Sequence, residues 1–163
     1  MSNYFSDKQV KLLAEAKSSK KYVHLKNENQ SLRDVMNLNN LNKMISMHNC
    51  WNQSNFSLVL DKNIIPFSKF STDGNALGFA NISPDPFKVS NYITKGASLV
   101  LNDLIYFSKE IRFLADDLQI ITNGKCQANL YFSMQSHQAF APHYDTHDVF
   151  ALHCEGEKVW NIY

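Results

Sequence analysis

Apolar positions recur at helical spacing in the first half of the chain and alternate with period two near its end. Ser6-Asp7-Lys8-Gln9 has the form of a capping box, with Gln at the third helical position. Val10, Leu13 and Ala14 follow at helical spacing and predict a helix through about Lys17. Tyr22-Val23-His24-Leu25 reads as a short strand. Ser31-Leu32-Arg33-Asp34 opens a second helical stretch, with Leu38, Leu41, Met44, Ile45 and Met47 on its apolar side. Phe56 to Leu60 is a predicted strand. Ser83-Pro84-Asp85-Pro86 is expected to be loop, because each proline pushes its predecessor out of the helical region. Ser98-Leu99-Val100-Leu101 predicts a buried strand, and Ser108 caps a helix carrying Ile111, Leu114, Ala115 and Leu118 on one side.

From Cys126 onward the period is two. Gln127, Asn129, Tyr131 and Ser133 share one face, and Ala128, Leu130 and Phe132 the other. A polar loop from Gln135 to Gln138 leads to His143. Val149 to Cys154, a turn at Glu155-Gly156-Glu157, and Lys158 to Tyr163 predict two antiparallel strands. The sum is an α+β chain with its chemistry at the β end. Its close on Val159-Trp160-Asn161-Ile162-Tyr163, with no turn or cap, reads as a truncation.

Composition narrows the function classes. A chain of 163 residues with 44% hydrophobic content has material for a packed core. Net charge is +1, Arg33 and Arg112 are the two arginines, and no basic stripe interleaves with aromatics, so no nucleic-acid partner is expected. Cys50, Cys126 and Cys154 are odd in number and widely spaced, which argues against a disulfide scaffold and for a reducing compartment. The start MSNYFSDKQVKLL has no apolar run of signal-peptide length and no segment could span a membrane, so a cytoplasmic protein with no membrane partner is expected.

Candidate chemistry sits in Pro142-His143-Tyr144-Asp145. In a strand, a His-x-Asp pair puts imidazole and carboxylate on one face, two-thirds of the facial triad that holds non-haem Fe(II). The bland reading is a surface histidine beside a turn aspartate. A polar-faced strand before the pair and an apolar strand after it favour the metal. No histidine follows His153, so the third ligand is missing from the sequence. His143 and His147 on a helix would be a rival pair, but Val149-Phe150-Ala151-Leu152 favours strand and no HExxH glutamate lies between them. His24, His48 and His137 have no partner pattern and are expected to be structural. Lys158 is either a solvated turn residue or, one strand beyond the pair, a point charge for the far carboxylate of a dicarboxylic cosubstrate.

Three stretches carry a resemblance: Gly96-Ala97-Ser98-Leu99-Val100-Leu101-Asn102, Gln127-Ala128-Asn129-Leu130-Tyr131-Phe132-Ser133, and Ala141 through Tyr163, above all PHYDTHDVFALHCEGEKVWNIY. They resemble the cupin-4 branch of the JmjC 2-oxoglutarate oxygenases, which contains the ribosomal oxygenases. The likeness is specific over residues 92–163 and weak over 1–90. It implies an N-terminal α/β extension (1–90) followed by the first part of a JmjC/cupin-type double-stranded β-helix (91–163), incomplete in this chain. It implies His143 and Asp145 as the first two Fe(II) ligands, Lys158 as the residue that binds the 5-carboxylate of the cosubstrate 2-oxoglutarate, and Tyr131 and Asn129 as pocket lining. The loop Met134 to Phe140 departs from the family in lacking its Pro-Gly pattern.

The resemblance implies an oxygenase that hydroxylates a protein side chain, a ribosomal-protein residue by analogy, with a homodimer as one expectation for the full-length protein. The 163-residue chain itself is expected to be inactive for lack of the distal histidine. Two other classes stand beside this one: a non-catalytic cupin-type binding module, and a metal-dependent cupin enzyme that uses no 2-oxoglutarate. Lys158, with Tyr131 and Asn129, argues against the last.

Overall fold

The capping residues visible in the sequence set the helix ends. The computed structural model describes residues 4–26, 30–76, 79–135 and 137–162. Along the chain lie helices α1 (Asp7–Ser19), α2 (Gln30–Asp34) and α3 (Leu38–Ile45), then strands β1 (Phe56–Leu60), β2 (Asn63–Ile64), β3 (Ser71–Ala76) and β4 (Phe79–Pro84). Helix α4 (Pro86–Thr94), strand β5 (Ser98–Leu101), helix α5 (Lys109–Thr122) and strand β6 (Leu130–Phe132) complete the order. The mixture of helices with antiparallel strands is the expected α+β class. None of the helices among the described residues is long and apolar enough to cross a membrane.

Two compact units assemble from interleaved segments, and the boundary expected at 90/91 falls inside α4. The helical unit comprises Met1–Leu41, Ser108–Cys126 and Asp145–Tyr163. Ser6 forms the expected capping box: its Oγ accepts from Gln9 N–H at 3.3 Å, and its own N–H donates to Gln9 Oε1 at 2.9 Å. Helix α1 packs on α5, where Tyr4 Oη donates to the Glu110 carbonyl and Lys17 Nζ to that of Thr122. Ser108 Oγ caps α5 by accepting from Ile111 N–H, and Ile111, Leu114, Ala115 and Leu118 are buried as their spacing predicts. An isoleucine or leucine side chain contributes roughly 1.5–3 kcal/mol when fully buried, and the methyl of alanine about 0.8 kcal/mol. The start of α3 is held from far along the chain: Glu155 Oε2 accepts from Leu38 N–H at 2.9 Å, while Asn37 Oδ1 accepts from Asn40 N–H. Two of the amide donors that a helix N-terminus leaves unpaired are thereby satisfied.

The sheet unit comprises Asn42–Phe107 and Gln127–Tyr144. Its main sheet runs β2-β1-β5-β6, antiparallel throughout, and β3 pairs with β4 in a separate two-stranded sheet. Leu58, Leu99 and Leu101 are fully buried, and Val100 and Ser98 on the other side of β5 are nearly so, which makes β5 a strand covered on both faces. Trp51 lies between Phe56 and Phe107 with its indole N–H donating to the Met44 carbonyl at 2.7 Å. Asp61 and Lys62, the two residues between β1 and β2, have φ of 49° and 66°, the signature of a tight two-residue hairpin with both central residues left-handed.

Several expectations are corrected. Tyr22 to Leu25 forms no strand; Tyr22 is exposed, and an extended segment becomes a strand only against a partner. Ser83-Pro84-Asp85-Pro86 is not loop throughout: Ser83 and Pro84 end β4, Asp85 Oδ1 caps α4 by accepting from Phe87 and Lys88 N–H, and Pro86 opens the helix. Proline suits that first position because its missing N–H is one the helix could not use. Strand β6 keeps three residues of the alternating stretch that begins at Cys126. The hairpin expected over Val149 to Tyr163 is absent among the described residues; 143–162 is irregular and mostly exposed. Alternation gives such a segment a suitable pattern, but the hydrogen-bond ladder must come from a neighbouring strand.

Candidate functional site

Strand β6 places the candidate cosubstrate residues. Its register sets Tyr131 opposite Val100, and Ser133 Oγ meets Ser98 Oγ at 2.6 Å, so Tyr131 and Ser133 share a face as their period-two spacing requires. Asn129, just before the strand, accepts a hydrogen bond from Asp103 N–H through its Oδ1 at 3.2 Å. The Tyr131 ring stands edge-on to Phe140, centroids 6.0 Å apart at 85°. Phe140 in turn contacts the His143 imidazole, with centroids 6.1 Å apart. Tyr131 and His143 are therefore both brought against the Phe140 ring. Phe140 carries no spacing signal in the sequence, since its bridging role exists only after the loop has folded back.

His143 is exposed, and its Nδ1 lies 2.8 Å from the Ala141 carbonyl. A carbonyl can only accept, so the contact is a hydrogen bond when Nδ1 carries the hydrogen, and in the neutral ring that leaves Nε2 its lone pair. That is how metal-ligating imidazoles are set: one nitrogen donates to a backbone carbonyl or carboxylate, and the other is left to bind. The strand assumed for His143-x-Asp145 is not formed; these residues are irregular, so the period-two argument for a shared face has no strand to act on. Asp145 is exposed and belongs to the helical unit, as does Lys158, whose Nζ lies 4.9 Å over the Trp160 ring. Among the described residues no three of His, Cys, Asp and Glu gather as a metal site. His143 and Asp145 thus offer an imidazole nitrogen and a carboxylate, donors of the kind Fe(II) takes, without a third.

Other titratable groups point elsewhere. His153 Nε2 is 2.8 Å from the Gly156 carbonyl, a local turn contact. The three cysteines are free thiols. Burial pushes the Cys126 thiol up, and burial with the Glu155 carboxylate does the same to Cys154, the wrong direction for a thiolate nucleophile.

Residues 102–163 match the model of the JmjC domain family. The chain is also similar to individual proteins. It is 29% identical over 121 residues to the bifunctional lysine-specific demethylase and histidyl-hydroxylase NO66 of Dictyostelium discoideum, covering 71% of this chain and 24% of that protein. Proteins of the same name from Drosophila persimilis (36% over 92 residues, 56% of this chain and 12% of the relative) and Brugia malayi (33% over 78 residues, 48% and 11%) are also similar. The chain thus spans about a quarter or less of the length of these relatives. No solved structure matches it.

Proposed function

We propose that this chain is part of a 2-oxoglutarate- and Fe(II)-dependent oxygenase that hydroxylates a protein side chain, with a ribosomal-protein residue as the substrate class. The observation that carries the reading is the JmjC match over the stretch that holds His143, Asp145 and Lys158, with His143 Nδ1 placed against the Ala141 carbonyl. Relatives whose name includes histidyl-hydroxylase support it. In this reading His143 Nε2 and the Asp145 carboxylate hold the metal. Lys158 binds the far carboxylate of 2-oxoglutarate as a point charge, and Tyr131 and Asn129 line the cosubstrate pocket. Bound Fe(II) and 2-oxoglutarate supply the oxygen chemistry; the protein's part is to hold, orient and keep water away.

The test incubates this chain, and the longest reading frame that contains it, with Fe(II), 2-oxoglutarate and ribosomal proteins beside a metabolite pool. Expected from the longest frame is succinate formation coupled to the gain of one oxygen atom on a protein side chain, lost in His143→Ala and Asp145→Ala, while the 163-residue chain by itself is expected to be inactive. Lys158→Ala should raise the 2-oxoglutarate requirement by about one to two decades, since a hydrogen bond to a charged group is worth roughly 1.5–3 kcal/mol, and leave the iron requirement far less changed. Oxidation confined to a small molecule would overturn the substrate class. Absence of succinate from the longest frame would favour a non-catalytic binding module.

A further inference from the structure

Between Tyr131 and His143, residues 133, 135 and 137 each make a contact with a distant part of the sheet unit. Ser133 Oγ meets Ser98 Oγ at 2.6 Å, and Gln135 Nε2 donates to the Thr94 carbonyl at 2.6 Å. His137 Nδ1 then lies 3.1 Å from Asp61 Oδ1. Asp61 can present its carboxylate there because it sits in the β1–β2 turn with a left-handed backbone. The His137 ring also rests on Gly96. A Cβ built at Gly96 would lie 2.5 Å from His137 Cδ2 and 2.7 Å from Nε2, closer than side-chain atoms approach, and the φ of +101° already favours glycine. Gly96 is itself fixed by its N–H to the Ile93 carbonyl at the end of α4. Immediately beyond this seat come Phe140 and His143.

We propose that His137 is a positioning residue: seated on the bare backbone of Gly96 and paired with Asp61, it fixes the loop that presents His143. The inference deepens the oxygenase reading, on which its meaning for metal binding rests. Because the imidazole occupies the space a Cβ would fill, Gly96→Ala should act on the loop by expelling His137. The two positions are then coupled, and the second substitution should add little to the first.

Two readouts test this on the full chain: backbone order parameters at residues 138–143 by NMR relaxation, and Mn(II) affinity by titration. The wild-type loop should give values near the roughly 0.85 of rigid backbone, and His137→Ala should bring them below about 0.6. Gly96→Ala should do the same, and the double variant should resemble either single one. His137→Gln, which keeps a donor for Asp61, should restore part of the order. Mn(II) binding should weaken about three- to tenfold in His137→Ala, the loss of one ordinary hydrogen-bonded contact. Unchanged loop order in His137→Ala, or additive effects of the two substitutions, overturns the proposal. If the wild type takes up no Mn(II) while loop order responds as stated, the clasp stands and the metal reading falls.

Discussion

Ser133→Ala should destabilise the protein more than Ser98→Ala, although Ser133 is the exposed member of the pair. Ser98 is 2% exposed, and its hydroxyl meets Ser133 Oγ across the β5–β6 ladder. Removing the Ser133 hydroxyl leaves a buried one at Ser98 without this partner, at a cost of about 1–3 kcal/mol. Removing the Ser98 hydroxyl leaves Ser133 facing water, which can replace the bond, so only the net worth of an ordinary hydrogen bond is lost, about 0.5–1 kcal/mol. With both removed, the buried polar group is gone and the double variant should be no worse than Ser133→Ala. Urea unfolding reads this as a shift in midpoint at constant slope. For a domain of this size, about 1.5 kcal/mol corresponds to a Tm lowered by roughly 3–6 °C. A Ser133→Ala protein as stable as wild type, or a Ser98→Ala protein that is the less stable of the two, would refute the argument.

Two further outcomes are expected. The backbone N–H of Glu110 at the start of α5, and after it the Ser108 hydroxyl, hold the Glu110 carboxyl below the usual carboxylate range. A lowered folded value means stabilisation that is present above the ordinary carboxylate value and lost as pH falls through the lowered one. Glu110→Gln should therefore cost about 0.3–1 kcal/mol near neutrality, at the low end because the side chain is largely solvated, with the difference vanishing in acid. Thermal melts of both proteins across pH check this. Lys62→Gly should stabilise by about 0.5–1 kcal/mol: it relieves left-handed backbone that costs a side-chain-bearing residue about 1–2 kcal/mol, less glycine's greater unfolded freedom. An unchanged denaturation midpoint would contradict it.

What could be read in the sequence was what depends on near neighbours. Ser6 and Ser108 cap helices because the groups they satisfy lie three residues on, and the apolar side of α5 follows from its own turn geometry. Strands β1 and β5 were legible as apolar runs, and β6 through its alternation. Helix α4 was hidden because Pro86, read as a breaker, occupies the one helical turn that tolerates it. The site was legible as residue types but not as an arrangement. His143-x-Asp145 named donors without a strand to align them, and the contacts of Phe140 and His137 join residues far apart in the chain.

The neighbours β5 and β6 are separated in sequence by all of residues 102–129, including α5. During synthesis β5 therefore emerges, pairs with β1, and waits with its other edge open until β6 has been made. At roughly 5–20 residues per second that wait is a matter of seconds, long compared with the microseconds in which a local hairpin closes. The nascent chain passes through a stage in which the ladder that will carry Tyr131 is an unpaired template beside Leu99 and Leu101, open to a strand from any other chain. Production of this protein should accordingly depend on translation rate and on chaperones that shield strand edges more than the final stability of the sheet would suggest.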